Sequence, residues 1–241
     1  MAPSRRVTIC ILSAQGSFPQ CVSSVINSIP ADELELRLGF GQADERFHHT
    51  LGALCPDGVI PEHRTLPRRL ERFSWTGQDG LPIRAWVALT ASSEPFLLRE
   101  VLHDLPLETE YTINVDDDVV LEREWYNGLR PLLDDGIDYA GSAAWHIYTA
   151  PELAAIQKYP WYMGIPFDRR DGRLGISYMQ RGIVVVRSDL LRQTNFPEAS
   201  SLANRDGAYH LTPEVILGEI ARQLGWRQAD YSQGINPNRK K

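Results

Sequence analysis

With 241 residues, 43% of them hydrophobic and 23% charged, the chain has material for one large buried core and the composition of an ordinary globular protein. The net charge is −6 and the longest basic run is Arg239-Lys240-Lys241, which argues against a protein built mainly to grip a polyanion. No apolar stretch is long enough to span a bilayer, and the run from Val7 to Leu12 is too short for a secretory signal core. Three cysteines, Cys10, Cys21 and Cys55, form no CxxC pair, so reduced thiols in a cytoplasmic protein are expected.

In chain order, Val7 to Leu12 is a compact β-type run. Val22, Val25, Ile26 and Ile29 fall on one helix face. Alternation at Leu34, Leu36, Leu38 and Phe40, and again at Ile83, Ala85, Val87 and Leu89, predicts two further strands. Residues 41–80 are rich in charge with poor periodicity and read as a long excursion from the sheet. Leu98, Val101, Leu102 and Leu105 mark another helix face, and Tyr111 to Val115 a short strand. Residues 145–177 read as irregular and aromatic, followed by a strand from Gly182 to Arg187. A last helix carries Val215, Ile216, Ile220 and Leu224, opened by Thr212-Pro213 and stopped by Gly225. This alternation implies an α/β fold, a mostly parallel sheet with helices on both faces. In such sheets ligands bind beyond the carboxyl ends of the strands.

At one such end lies Asn114-Val115-Asp116-Asp117-Asp118-Val119. Three adjacent carboxylates repel one another unless a cation or hydrogen-bond donors neutralise them. Mg²⁺ or Mn²⁺ takes oxygen ligands from one or two carboxylates and shares its sphere with substrate phosphates. A solvated turn of capping aspartates is the competing explanation, and it is the one that suits Asp134-Asp135.

The segment resembles the DxD motif of GT-A glycosyltransferases, in the form seen in fringe-like and β-1,3-galactosyltransferase enzymes and in other family-two-like nucleotide-sugar transferases. The opening Val7-Thr8-Ile9-Cys10-Ile11-Leu12-Ser13-Ala14 is similar to that fold's first strand and nucleotide loop. The resemblance covers the chain as an ordered pattern. It implies a single Rossmann-like GT-A domain, with a donor half over about 1–120 and an acceptor half over about 121–241. It further implies donor contacts from Ser13, Ala14, Gln15, Asp44, Arg99, Asp116 and Asp117, with Asp118 and Asp116 on the ion and Asp117 directed toward the fold. The implied donor is a nucleoside-diphosphate sugar, with UDP favoured.

Glu214 opens the last helix where inverting members carry a catalytic carboxylate, so the resemblance makes it the general base. An acid in the first turn also complements the helix dipole and needs no chemistry. The late histidine that fringe-like enzymes place on the ion is missing from residues 226–234; Asp230, or less directly His210, is a candidate substitute. Acceptor contacts are expected from Trp145, His146, Trp161, Gln180 and Arg181, the aromatic rings offering faces for stacking. Arg169, Arg170 and Arg173 flank that stretch and would suit an anionic acceptor. The acceptor stays open between small molecule, glycan, lipid-linked intermediate, protein and modified nucleic acid. Two alternatives remain: a catalytically silent sugar- or nucleotide-sugar-binding module, and a nucleotidyltransferase. The second normally carries a basic glycine-rich loop after the first strand, and residues 13–17 hold no arginine or lysine.

Overall fold

The computed structural model describes residues 5–13, 18–41, 45–66, 69–89, 101–102, 108–194, 196, 211–231 and 235–237. Strand β1 (Val7–Ser13) is buried along its whole length, as an unbroken apolar run inside a parallel sheet should be. It pairs in parallel with β2 (Leu34–Phe40) on one side and with β6 (Tyr111–Asp116) on the other. Beyond β2 lie β5 (Pro82–Ala88), β4 (Leu70–Thr76) and the exposed edge strand β3 (Glu62–Leu66). Beyond β6 lie the antiparallel β10 (Arg173–Arg187), then β8 (Tyr139–Ile147) and β11 (Gln228–Asp230). The sheet is therefore mixed, with a parallel centre of β5, β2, β1 and β6. The chain leaves β1 toward β2 and leaves β6 toward β8, in opposite directions, which makes the β1–β6 boundary a topological switch point.

Alternation along the central strands sends side chains into two cores. Ile9, Ile11, Ile113 and Val115 meet α1 (Phe18–Ser28) and α3 (Trp125–Asp134) on one face. Cys10, Trp86, Val184 and Val186 meet α4 (Ala150–Ile156) and α6 (Pro213–Gln223) on the other. Each fully buried aliphatic side chain contributes about 1.5–3 kcal/mol. In the second core, burial raises the Cys10 thiol to about 12. A short helix, α5 (Ser188–Gln193), follows β10 directly.

Helix α6 begins and ends as its sequence dictates. The Thr212 hydroxyl accepts from the Val215 amide, Pro213 takes the first turn, and Gly225 stands at φ 68° just beyond. Its Gly218 lies against β10 so closely that an added Cβ would sit 2.6 Å from Tyr178 Cβ. Gly218→Ala is accordingly expected to cost about 2 kcal/mol through overpacking, seen as a melting temperature lower by several degrees in thermal denaturation. An unchanged melting temperature would show that α6 is free to shift off β10.

Two expectations are corrected. Residues 41–80 are not an irregular excursion: they contain α2 (Glu45–Leu54) and the β3–β4 hairpin. Phe47 anchors α2, its ring centroid 5.2 Å from that of Phe40 and 4.9 Å from that of Phe73. Nor are residues 145–177 irregular, since β8 runs to Ile147, α4 follows, and β10 begins at Arg173 after pairing back on β9 (Asp168–Arg170). Of the helix expected around Leu98 to Leu105, Val101 and Leu102 are helical and the rest lies outside the described residues. Asp134 closes α3 and pairs with Arg6 at 2.7 Å, while Asp135 pairs with Arg227, in keeping with a structural role for both.

Candidate active site

Asp116 is the last residue of β6, level with Leu12 of β1 at the switch point. Asp117 and Asp118 form the turn into β7 (Val119–Leu121), a strand pinned to α1 by the Leu121 amide donating to Ser24 Oγ at 2.9 Å. The three carboxylates are not equivalent. Asp117 is 5% exposed, whereas Asp116 and Asp118 are half-buried. Beneath the turn the Cys21 thiol donates to the Asp116 carbonyl at 3.4 Å. Burial pushes that thiol upward, and the charges of Asp117, then Asp116 and Asp118, push it further. The acidic field is thus concentrated at one point of the crevice.

Side chains alternate along β6, so Thr112, Asn114 and Asp116 leave on one side while Ile113 and Val115 enter the first core. On the Thr112–Asn114 side a cavity of about 40 Å³, room for about three water molecules, opens beneath the N-terminus of α6. Its described lining includes Thr112, Asn114 and Glu214 together with the apolar Val184, Leu191 and Leu217. Glu214 is 9% exposed, and its Oε2 is buried with no hydrogen-bond partner among the described residues. Asn114 Oδ1 is orphaned in the same way. Two unsatisfied acceptors on residues that line one cavity are unusual, because a buried polar group normally finds a partner. The field of Glu214 also reaches Tyr139, whose phenol is raised chiefly by burial and additionally by that charge.

Opposite the end of β6, strand β10 carries a wide bulge. Met179 pairs with Ala143 but Val184 with Gly141, leaving residues 180–182 as extra chain. Since Ile183 pairs with Val115, Gly182, at φ 122°, comes level with Asp116. Gln180 lies on this bulge, its Nε2 donating to Ser142 Oγ at 3.1 Å. Arg181 also belongs to the bulge, but its side chain lies outside the described set.

The remaining expected contacts are scattered. Ser13 ends β1 at the crevice, 8% exposed, while Ala14, Gln15, Asp44 and Arg99 fall outside the described residues. Trp145 is half-buried, with the Arg170 guanidinium 5.8 Å above its ring. His146 is held near Glu152, Nε2 to Oε2 3.4 Å, and packs edge-on to Tyr148. Trp161 is 8% exposed in the second core and stacked on Tyr159 at 4.9 Å, so its face is occupied by the protein itself.

No group of three or more His, Cys, Asp or Glu side chains converges on a metal-sized point among the described residues. Asp230 does not reach the triplet. It is level with Gly141, Gly141 with Val184, and Val184 with Asn114, so three strand spacings, roughly 14 Å, intervene. His210 lies outside the described residues. Among the described residues, an ion here would rest on Asp116 and Asp118, two half-buried carboxylates in a strongly negative turn, which suits a cation that takes its other oxygens from phosphate and water.

No protein-family model matches this chain, and no curated protein sequence does. Among solved structures, the chain is similar to the 4-diphosphocytidyl-2C-methyl-D-erythritol synthase of Anaerococcus prevotii, with a TM-score of 0.54 over 99% of this chain and 94% of that one. At 11% identity the likeness is one of fold: a mixed α/β, Rossmann-like sheet flanked by helices. No described helix is long and apolar enough to cross a membrane.

Proposed function

We propose that this chain is a transferase that moves a sugar from a nucleoside-diphosphate sugar, UDP-linked in the favoured case, to a hydroxyl-bearing acceptor, with inversion. The observation that carries the reading is the placement of Glu214. The residue is buried with one oxygen unpartnered among the described residues, and it lines a cavity shared with Asn114, two residues from Asp116 on the same side of β6. A base and a diphosphate-binding end are what inverting transfer needs in one crevice. The acceptor oxygen bonds to the anomeric carbon, the bond from that carbon to the diphosphate oxygen breaks, and its electron pair leaves with the nucleotide. The acceptor proton passes to Glu214. Asp118 and Asp116 would hold Mn²⁺ or Mg²⁺, which when bound offsets the charge that develops on the departing diphosphate. Residues of about 1–120 would form the donor side and those of about 121–241 the acceptor side, with Ser13 and the bulge at Gln180 facing each across the switch point.

A second reading, nucleotidyl transfer, is favoured by the fold likeness to a synthase whose product carries a diphosphocytidyl group. Against it stands residues 13–17, Ser-Ala-Gln-Gly-Ser, with no cation to meet a triphosphate. One assay separates them. The protein is incubated with Mn²⁺ or Mg²⁺ and either a panel of nucleotide sugars or nucleoside triphosphates with sugar or polyol phosphates. Nucleoside diphosphate release from a nucleotide sugar, abolished by chelator, is the expected result. Pyrophosphate release from a triphosphate would replace sugar transfer by nucleotidyl transfer. Binding of a nucleotide sugar without turnover would leave a binding module.

A further inference from the structure

We infer that the outer edge of β3 is an interface between two copies of this chain, paired antiparallel about a two-fold axis at His63 so that their sheets join. β3 is the last strand of the sheet on its side, and no described strand pairs with its outer edge. Glu62 to Thr65 are exposed, and Ile60, just before them, is 91% exposed. An open edge is a template for another strand unless something guards it. Which main-chain groups it offers follows from the neighbouring ladder. The Leu89 amide donates to the Arg69 carbonyl and the Gly77 amide to the Leu81 carbonyl, which fixes the phase of the β4–β5 pairing. Glu71, Phe73 and Trp75 turn their amides and carbonyls toward β5. Leu70, Arg72 and Ser74 therefore bond β3, through Leu66, Arg64 and Glu62. What remains for the outer edge is the Pro61 carbonyl and both main-chain groups of His63 and Thr65.

Outward groups must face outward groups, which leaves few registers. A two-fold axis at Glu62 or at Arg64 sets like charges directly opposite each other, which destabilises the pair. An axis at Thr65 sets Arg64 against the partner's Leu66. An axis at His63 sets Glu62 against the partner's Arg64, and Arg64 against the partner's Glu62. One pair further out, Ile60 meets the partner's Leu66, so the most exposed large apolar side chain among the described residues gains an apolar neighbour. At the axis the His63 amides and carbonyls bond reciprocally, and each Thr65 amide reaches the partner's Pro61 carbonyl. Proline is tolerated at that position because it lies on an edge. Glu62 and Arg64 already pair within the chain at 2.6 Å, so across the axis they form a ring of alternating charge that sets register more than affinity. Charges that guard an edge repel a second copy in the register it would take. These attract it in the register where the main chain and the apolar pair also fit, and the contact closes at two copies.

The test uses the full chain in sedimentation velocity, with thermal melts by circular dichroism to show that each variant is folded. β3 has only 5 residues, less than a permanent interface needs, so a reversible dimer with a Kd of about 1–100 µM is expected. Glu62→Arg and Arg64→Glu should each be monomeric alone, since each opposes like charges across the axis. Mixed in equal amounts they should dimerise, because an all-basic edge then meets an all-acidic one. Thr65→Pro removes an outward amide and leaves the bonds to β4 in place, so it should raise Kd by at least about fivefold per lost hydrogen bond. Wild-type protein that stays monomeric at about 1 mM overturns the inference. So does a dimer that survives both charge reversals taken singly, or a folded mixture of the two that stays monomeric. Should a charge variant fail to fold, Thr65→Pro decides: dimerisation as strong as that of wild type overturns the inference, and the weakening stated supports it.

Discussion

Glu214→Gln is expected to lower kcat for sugar transfer by 10²–10⁴-fold, the range over which a positioned general base contributes, while donor KM moves less than about threefold. The amide has the shape of the carboxyl and keeps the cavity filled, but it cannot take a proton. The competing explanation for an acid at this position is the helix dipole, which contributes only about 0.3–1 kcal/mol. The two explanations predict opposite patterns. A dipole partner would be solvated near the helix terminus; Glu214 is 9% exposed with one oxygen unpartnered, a cost with no structural return. Neutralising it should therefore leave the melting temperature within about 2 °C of wild type, or raise it, because desolvation relief offsets the lost dipole term. Steady-state kinetics with thermal denaturation on the same preparation decides the matter. A variant that unfolds earlier yet keeps its turnover would sink the catalytic role.

Much of the fold is legible where one physical signal dominates. Val7 to Ser13 reads as a central strand because an unbroken apolar run suits burial on both faces, and α6 reads correctly because Thr212, Pro213 and Gly225 punctuate it. Where signals compete, the reading fails. Helix α2 has the stripe Phe47, Leu51 and Leu54, but His48, His49 and Thr50 dilute it, and tertiary contact of Phe47 with Phe40 and Phe73 settles the helix. The β9–β10 turn carried a usable signal, Asp171-Gly172, whose φ angles of 52° and 76° are those of a type I′ hairpin. The length of β10 did not, since Gln180 to Gly182 bulge out of its ladder. At the site, the acidic triplet is visible in sequence because like charges at a strand end demand an explanation. Asn114 left a fainter trace: Thr112, Asn114 and Asp116 make one side of a central strand polar where both sides should be apolar. That Glu214 lines the same cavity is a long-range fact, set by how α6 docks on β10, and no local pattern carries it.

The three aspartates should divide by burial. Asp118→Ala is expected to reduce turnover at least a hundredfold and to abolish metal-dependent nucleotide binding in calorimetry, because an ion that stabilises a leaving diphosphate supplies several kcal/mol. Asp116→Ala should follow it. Both carboxylates are half-buried at the crevice, and removing Asp118 relieves repulsion within the triplet, so the metal-free Asp118→Ala protein should melt no lower than wild type. Asp117 is 5% exposed and packed into the base of the turn, so Asp117→Ala should lower the melting temperature in the absence of any ligand. The pattern is diagnostic as a set. Stability lost at Asp117 and ion binding lost at Asp118 and Asp116 is the signature of a turn folded on one carboxylate to present two. If all three variants merely destabilise, and Mn²⁺ binds Asp118→Ala as it binds wild type, the triplet is a structural turn and the ion must be sought elsewhere.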